Sequence, residues 1–82
     1  MWTVYITGPA RKDLNKIPKS EAAKIVIALE IMRNDPFDGD IVKLESNDWR
    51  KRVGNYRILY EINIKDKLLI IFDIKRRTSN TY

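Results

Sequence analysis

"WRKRVGNYRILYEI", residues 49–62, holds two strand-like runs on either side of Gly54-Asn55. Both runs are rich in aromatic and β-branched residues, with Tyr56, Ile58, Tyr60 and Ile62 recurring at every second position of the later one. A two-residue Gly-Asn link is a favoured hairpin turn. With that link as the turn, Val53 faces Tyr56 and Arg52 faces Arg57, and directly opposed residues share one side of a sheet. Tyr56, Ile58, Tyr60 and Ile62 then make one apolar side. Arg50, Arg52, Arg57 and Leu59 make the other. Two arginines set opposite each other destabilise a ladder by about a few tenths of a kcal/mol. A solvated strand with Glu61 or Glu45 as a diagonal partner accounts for any one of these cations. It does not account for the cluster, because acids are too few nearby.

Outward from the hairpin, "IVKLE" (41–45), "YRILYEINI" (56–64) and "KLLIIFDIK" (67–75) read as further strand segments, with Lys65-Asp66 as a second two-residue turn. That register places Tyr56 across from Lys75 and Arg57 across from Ile74. It carries Arg76 and Arg77 to the rim of the basic side and lets Tyr82 fold over it. At the other end, "WTVYIT" (2–7) is an opening strand. Pro9 suits the first turn of a helix on which Ala10, Leu14 and Ile17 form a stripe, and Pro18 ends it. A second helix runs from about Ser20 to Asn34 and stops before Asp35-Pro36. Ala22, Ile25, Val26, Leu29 and Met32 form its main apolar face. Ala23, Ile27 and Ile31 form a second face, which either packs on the first helix or offers a groove to a partner helix. The chain therefore reads as one α+β domain spanning 1–82, in the order β-α-α-β-β-β-β. Two N-terminal helices pack on one face of a mostly antiparallel sheet of four to five strands.

Composition narrows the chemistry. The 82 residues contain no cysteine and no histidine. Disulfides, thiolate metal sites and imidazole ligands are therefore excluded. A reducing cytoplasm is the expected location. The longest apolar run, Leu68 to Phe72, is too short to cross a membrane, and the first ten residues lack the regions of a secretory signal. The net charge of +5 favours an acidic partner such as nucleic acid. Any catalysis falls to Arg, Lys, Tyr, Asp or Glu. Guanidinium groups match phosphate oxygens in a two-pronged geometry and keep their charge. RNA can be cut without metal, since the ribose 2′-hydroxyl attacks its own phosphate. The protein then aligns that attack, stabilises the added charge and protonates the leaving 5′-oxygen.

"YITGPARKDLNKIP", "DPFDGDIVKLE", "WRKRVGNYRILYEI" and "LLIIFDIKRRTSNTY" together resemble the RelE/ParE superfamily of bacterial and archaeal toxins, over essentially the whole chain. The resemblance implies the same two-helix, mostly antiparallel fold. In its RelE-like branch it implies a ribosome-dependent mRNA endonuclease that cuts in the A site, leaves a 2′,3′-cyclic phosphate and a 5′-hydroxyl, and uses no cofactor. It further implies a RelB-like antitoxin that wraps and blocks the toxin, and a complex that binds operator DNA through the antitoxin. By position, Arg57 matches the arginine that stabilises the transition state, and Arg76 the one acting on the scissile phosphate or leaving group. Tyr82 matches a near-terminal tyrosine that orients the attacking nucleotide or assists proton transfer. Arg50 falls where family members carry a functional lysine and Arg52 matches a supporting basic position; with Lys51, Lys75 and Arg77 they are the candidates for RNA or ribosome binding. The general base stays open, because Arg50 stands in place of that lysine and this chain lacks the tail histidine of some relatives; a tyrosine, Lys75 or a ribosomal group are the choices. The ParE-like branch shares the fold and inhibits DNA gyrase instead. A third possibility is a relative that binds without cutting.

Overall fold

Strand β4 (Tyr56–Asn63) organises the molecule. Its buried residues alternate strictly, with Tyr56, Ile58, Tyr60 and Ile62 at 6 % exposure or less. The computed structural model describes residues 1–77. Within them β1 (Thr3–Ile6), β2 (Ile41–Lys43), β3 (Asp48–Val53), β4 and β5 (Leu68–Arg76) form one sheet in the order β1-β5-β4-β3-β2. Only the β1–β5 pair is parallel. Helices α1 (Gly8–Asn15) and α2 (Lys19–Met32) separate β1 from β2. The fold is thus two helices on a five-stranded, mostly antiparallel sheet, in the order the residue pattern predicts. Thr7 caps α1, its hydroxyl oxygen accepting the Ala10 N–H, and Pro9 follows in the first turn, where its missing N–H costs nothing.

Ile25, Leu29 and Met32 on α2 close over Ile58, Tyr60, Leu69, Ile71 and Ile74, with Ala10 of α1 completing the core. The second apolar face of α2 does not pack on α1, contrary to one of the two readings of its pattern. Ile27 and Ile31 remain exposed, and so does Val26, which the pattern assigns to the main apolar face. The short α1 is occupied with β5 instead, as its contacts are mainly there.

Tyr60 sits at the centre of this core and donates its hydroxyl to the Pro36 carbonyl at 3.3 Å. Burial disfavours the phenolate and pushes its pKa up from 10.0 to about 12. Because the raised value belongs to the folded state, the associated stability is complete below pH 10 and disappears as the pH rises through 12. Urea melts of Tyr60→Phe are therefore expected to lose less stability than the unaltered protein over that interval. At neutral pH the variant gives up about 1 kcal/mol for the lost hydrogen bond. Parallel declines of the two proteins above pH 10 would show that Tyr60 is not the titrating group.

Of the two hairpin ladders, one keeps the expected pairing and one departs from it, and the departure matters for the site. The β3–β4 hairpin turns at Gly54, whose φ of +58° lies in the left-handed region open to glycine, and its register is the expected one, with Arg52 opposite Arg57. The β4–β5 register matches expectation only near its turn. Asn63 pairs with Leu68 and Tyr60 with Ile71, but the pairing then shifts at Leu59/Tyr60, so that Leu59 meets Asp73, Arg57 meets Lys75 and Tyr56 meets Arg76. Phe72 is the extra residue of a β-bulge. Strict alternation from Leu69 and Ile71 would have sent Asp73 into the core and Ile74 into solvent. The bulge keeps Ile74 at 4 % exposure and turns Asp73 outward.

Candidate anion site on the open sheet face

The side of the sheet away from the helices carries Arg50, Arg52, Arg57, Leu59 and, because of the bulge, Lys75. Arg50, Arg57, Leu59 and Lys75, together with Leu44, line one cavity of about 250 Å³. Arg50 is directly opposite Leu59, and Arg57 directly opposite Lys75, so three neighbouring strands each deliver one cation to the same depression. The Lys75 ammonium lies 3.4 Å from an oxygen of Asp73. Among the described residues no carboxylate comes within ion-pair distance of Arg50, Arg52 or Arg57.

Hydrogen bonding shows the same deficit. Nη1 of Arg50 and Nε of Arg57 are shielded from solvent and have no acceptor. A buried guanidinium donor left unpaired costs about 1–3 kcal/mol, more than an exposed one. Two such donors beside one cavity describe a receptacle for an anion with several acceptor oxygens. The Arg52–Arg57 opposition adds to the cost. Replacing the exposed Arg52 by Glu is expected to stabilise the fold by about a few tenths of a kcal/mol after solvent screening, seen as a higher urea midpoint. An unchanged or lower midpoint would mean that the opposed arginines do not repel.

The other candidate residues divide. Arg77 lies just past β5, and its Nη1 donates to the Gly54 carbonyl at 3.5 Å, next to the hairpin tip. Arg76 does not join Arg57. It pairs with Tyr56, whose side chain faces the helices, so Arg76 leaves the sheet on the helix side. There the Tyr56 hydroxyl donates to Glu21 at 2.9 Å. Burial raises the Tyr56 pKa, Glu21 raises it further, and the nearby Arg76 charge opposes the rise. The expectation that Arg76 reaches the basic rim is thus corrected by the one-residue bulge. Lys51, also expected to bind RNA, lies on the opposite side of β3 from Arg50 and Arg52 and is buried there. It is 5 % exposed, donates to the Asp38 carbonyl and lies 3.8 Å from a carboxylate oxygen of Asp38. The loop is built around it: Gly39 has φ +86°, and a Cβ there would stand 2.6 Å from the Lys51 ammonium. Tyr82 lies outside the described residues. Lys75 gains a place that the straight ladder denied it, and the signal was present in the sequence as an acidic residue, Asp73, falling on the apolar phase of β5.

Residues 4–81 match the family described as "ParE toxin of type II toxin-antitoxin system, parDE". The chain is 32 % identical over 81 residues to "Putative toxin RelE1" of Methanocaldococcus jannaschii, covering 93 % of this chain and 90 % of that protein. The toxin fold recurs in the archaeal RelE–RelB complex from Pyrococcus horikoshii OT3, with TM-score 0.86, 29 % identity, and 95 % and 97 % of the two chains covered. It recurs again in the RelB–RelE antitoxin–toxin complex from Methanococcus jannaschii, with TM-score 0.74, 27 % identity and 88 % of each chain covered. The isolated Escherichia coli RelE toxin, at 10 % identity, shares the fold with TM-score 0.85 over 99 % of this chain and 89 % of that one. The chain belongs to the RelE/ParE superfamily and is a toxin of a type II toxin–antitoxin system.

Proposed function

We propose that this toxin is a ribosome-dependent, metal-free mRNA endonuclease that cuts message in the A site and is held in check by a RelB-like antitoxin. The observation that carries this reading is the pair of buried, acceptor-less donors on Arg50 and Arg57 beside the cavity that Lys75 also lines. A phosphodiester undergoing 2′-hydroxyl attack gains negative charge on its non-bridging oxygens. Fixed N–H donors that already lack partners lose no bonds in meeting that charge, so they stabilise the transition state more than the ground state. In this mechanism Arg57 and Arg50 hold the non-bridging oxygens. Arg52 and Arg77 extend the positive field along the bound strand, and Tyr82 acts on the attacking nucleotide. Arg76, on the helix side, contributes to ribosome contact rather than to the scissile phosphate. The products are a 2′,3′-cyclic phosphate and a 5′-hydroxyl. Solved relatives that are toxin–antitoxin complexes support the antitoxin as partner. Operator binding through that antitoxin, and a cytoplasmic site of action, complete the reading.

The test is primer extension on message bound to programmed ribosomes. The expected result is a stop within the A-site codon that depends on the ribosome. A second reading, inhibition of DNA gyrase, is favoured by the ParE description of the matching family. Intact message together with inhibited gyrase supercoiling would select it and overturn the first. Intact message with neither effect would leave a toxin that binds without cutting.

A further inference from the structure

We propose that Lys75 is the catalytic acid that protonates the leaving 5′-oxygen; the proposal rests on the nuclease reading above. Its basis is the β-bulge at Phe72. The shift makes Lys75, instead of Ile74, the direct neighbour of Arg57 and brings its side chain to the cavity. Of the groups lining that cavity, Arg50 and Arg57 keep their protons at any useful pH and serve as fixed charges. Leu44 and Leu59 have nothing to donate. Lys75 alone carries three rotatable N–H donors on a group that gives up a proton far more readily than a guanidinium. Asp73 faces Leu59 and holds the ammonium at 3.4 Å, which makes Asp73 a positioning residue for it. The charged groups around Lys75 are therefore Arg57 across the ladder, Arg50 beyond it and Asp73 on its own strand.

The step balances without a co-reactant. The 2′-oxygen bonds to phosphorus and its proton passes to solvent. The bond from phosphorus to the 5′-oxygen breaks, and the Lys75 ammonium delivers a proton to that oxygen. Solvent then reprotonates the amine.

Leaving-group chemistry separates this role from a purely electrostatic one. A message whose scissile 5′-oxygen is replaced by sulfur departs as a thiolate and needs no acid. On programmed ribosomes, Lys75→Met is expected to cut the normal message roughly 10²–10⁴-fold more slowly than the unaltered protein. On the sulfur message it should come within about threefold of the unaltered protein, because the proton is no longer required. Lys75→Arg, which keeps the charge, should be as slow as Lys75→Met on oxygen. Arg57→Ala should be slow on both messages. Lys75 is an exposed strand residue, and circular dichroism would check that each variant is folded. Equal slowing of Lys75→Met on oxygen and sulfur would overturn the proposal, as would full activity of either lysine variant on oxygen. If the unaltered protein cuts neither message, the nuclease reading itself fails. If it cuts both and only the lysine result is wrong, that reading survives and the acid lies elsewhere.

Discussion

Arg57→Ala is expected to slow A-site cleavage by roughly 10²–10³-fold while leaving the fold and antitoxin binding almost unchanged. Arg57 is half-buried, its Nε has no acceptor, and it occupies the central strand of the sheet, so its guanidinium is held in place before any substrate arrives. Truncation removes a pre-arranged donor from the position where charge grows. It also relieves the repulsion with Arg52, so thermal stability should hold or rise slightly. Arg76→Ala makes the contrast. Arg76 pairs with Tyr56 and emerges on the helix side, and its removal should cost less than about tenfold, or 1.4 kcal/mol of barrier. Single-turnover rates on programmed ribosomes measure both. Equal and large losses would mean that the two arginines share one phosphate after all, and that the tail crosses to the open face when RNA binds.

The largest effect on stability is expected at Ile58. It is fully buried in the middle strand, paired with Lys51 on one side and Ile74 on the other. Ile58→Ala should lower unfolding free energy by about 2–5 kcal/mol, the sum of lost transfer energy and an unfilled cavity. A domain of this length has about 4–12 kcal/mol in total, so the variant stands near the limit of independent folding. Excess antitoxin should restore it, since a ligand that binds only the folded state stabilises by mass action. Urea titration with and without antitoxin provides the check. A loss below about 1 kcal/mol would show that β4 does not anchor the core.

The two predictions come from opposite sides of one strand, and the sequence already separates those sides. Gly54-Asn55 and the alternation from Tyr56 to Ile62 specify the hairpin, the buried face and the Arg52–Arg57 opposition. Turn chemistry and period-two patterning are local, and a single slip would have exposed the whole apolar set. The β4–β5 ladder was readable for only half its length. Phe72 adds a residue to one strand, and every later side chain changes face: Lys75 joins Arg57, while Arg76 goes to Tyr56. The conflict that forces the bulge, Asp73 on an apolar phase, is a tertiary matter, settled by what the core excludes. The burial of Lys51 escaped for a similar reason, because its partner Asp38 lies 13 residues away in sequence. The exposed second face of α2 shows the limit of periodicity, which reports an apolar face without naming what covers it.

The central claim is that the phosphate is gripped in the cavity between Arg50, Arg57 and Lys75. Side-chain Nε–H resonances of the arginines report this directly when a trinucleotide carrying a non-reactive 2′-deoxy position is titrated into the unaltered toxin. The account predicts that the Arg57 Nε–H shifts and becomes protected from exchange, with the Arg50 guanidinium moving alongside it and Arg76 unaffected. A response confined to Arg76, with Arg57 and Arg50 unchanged at saturation, would contradict it.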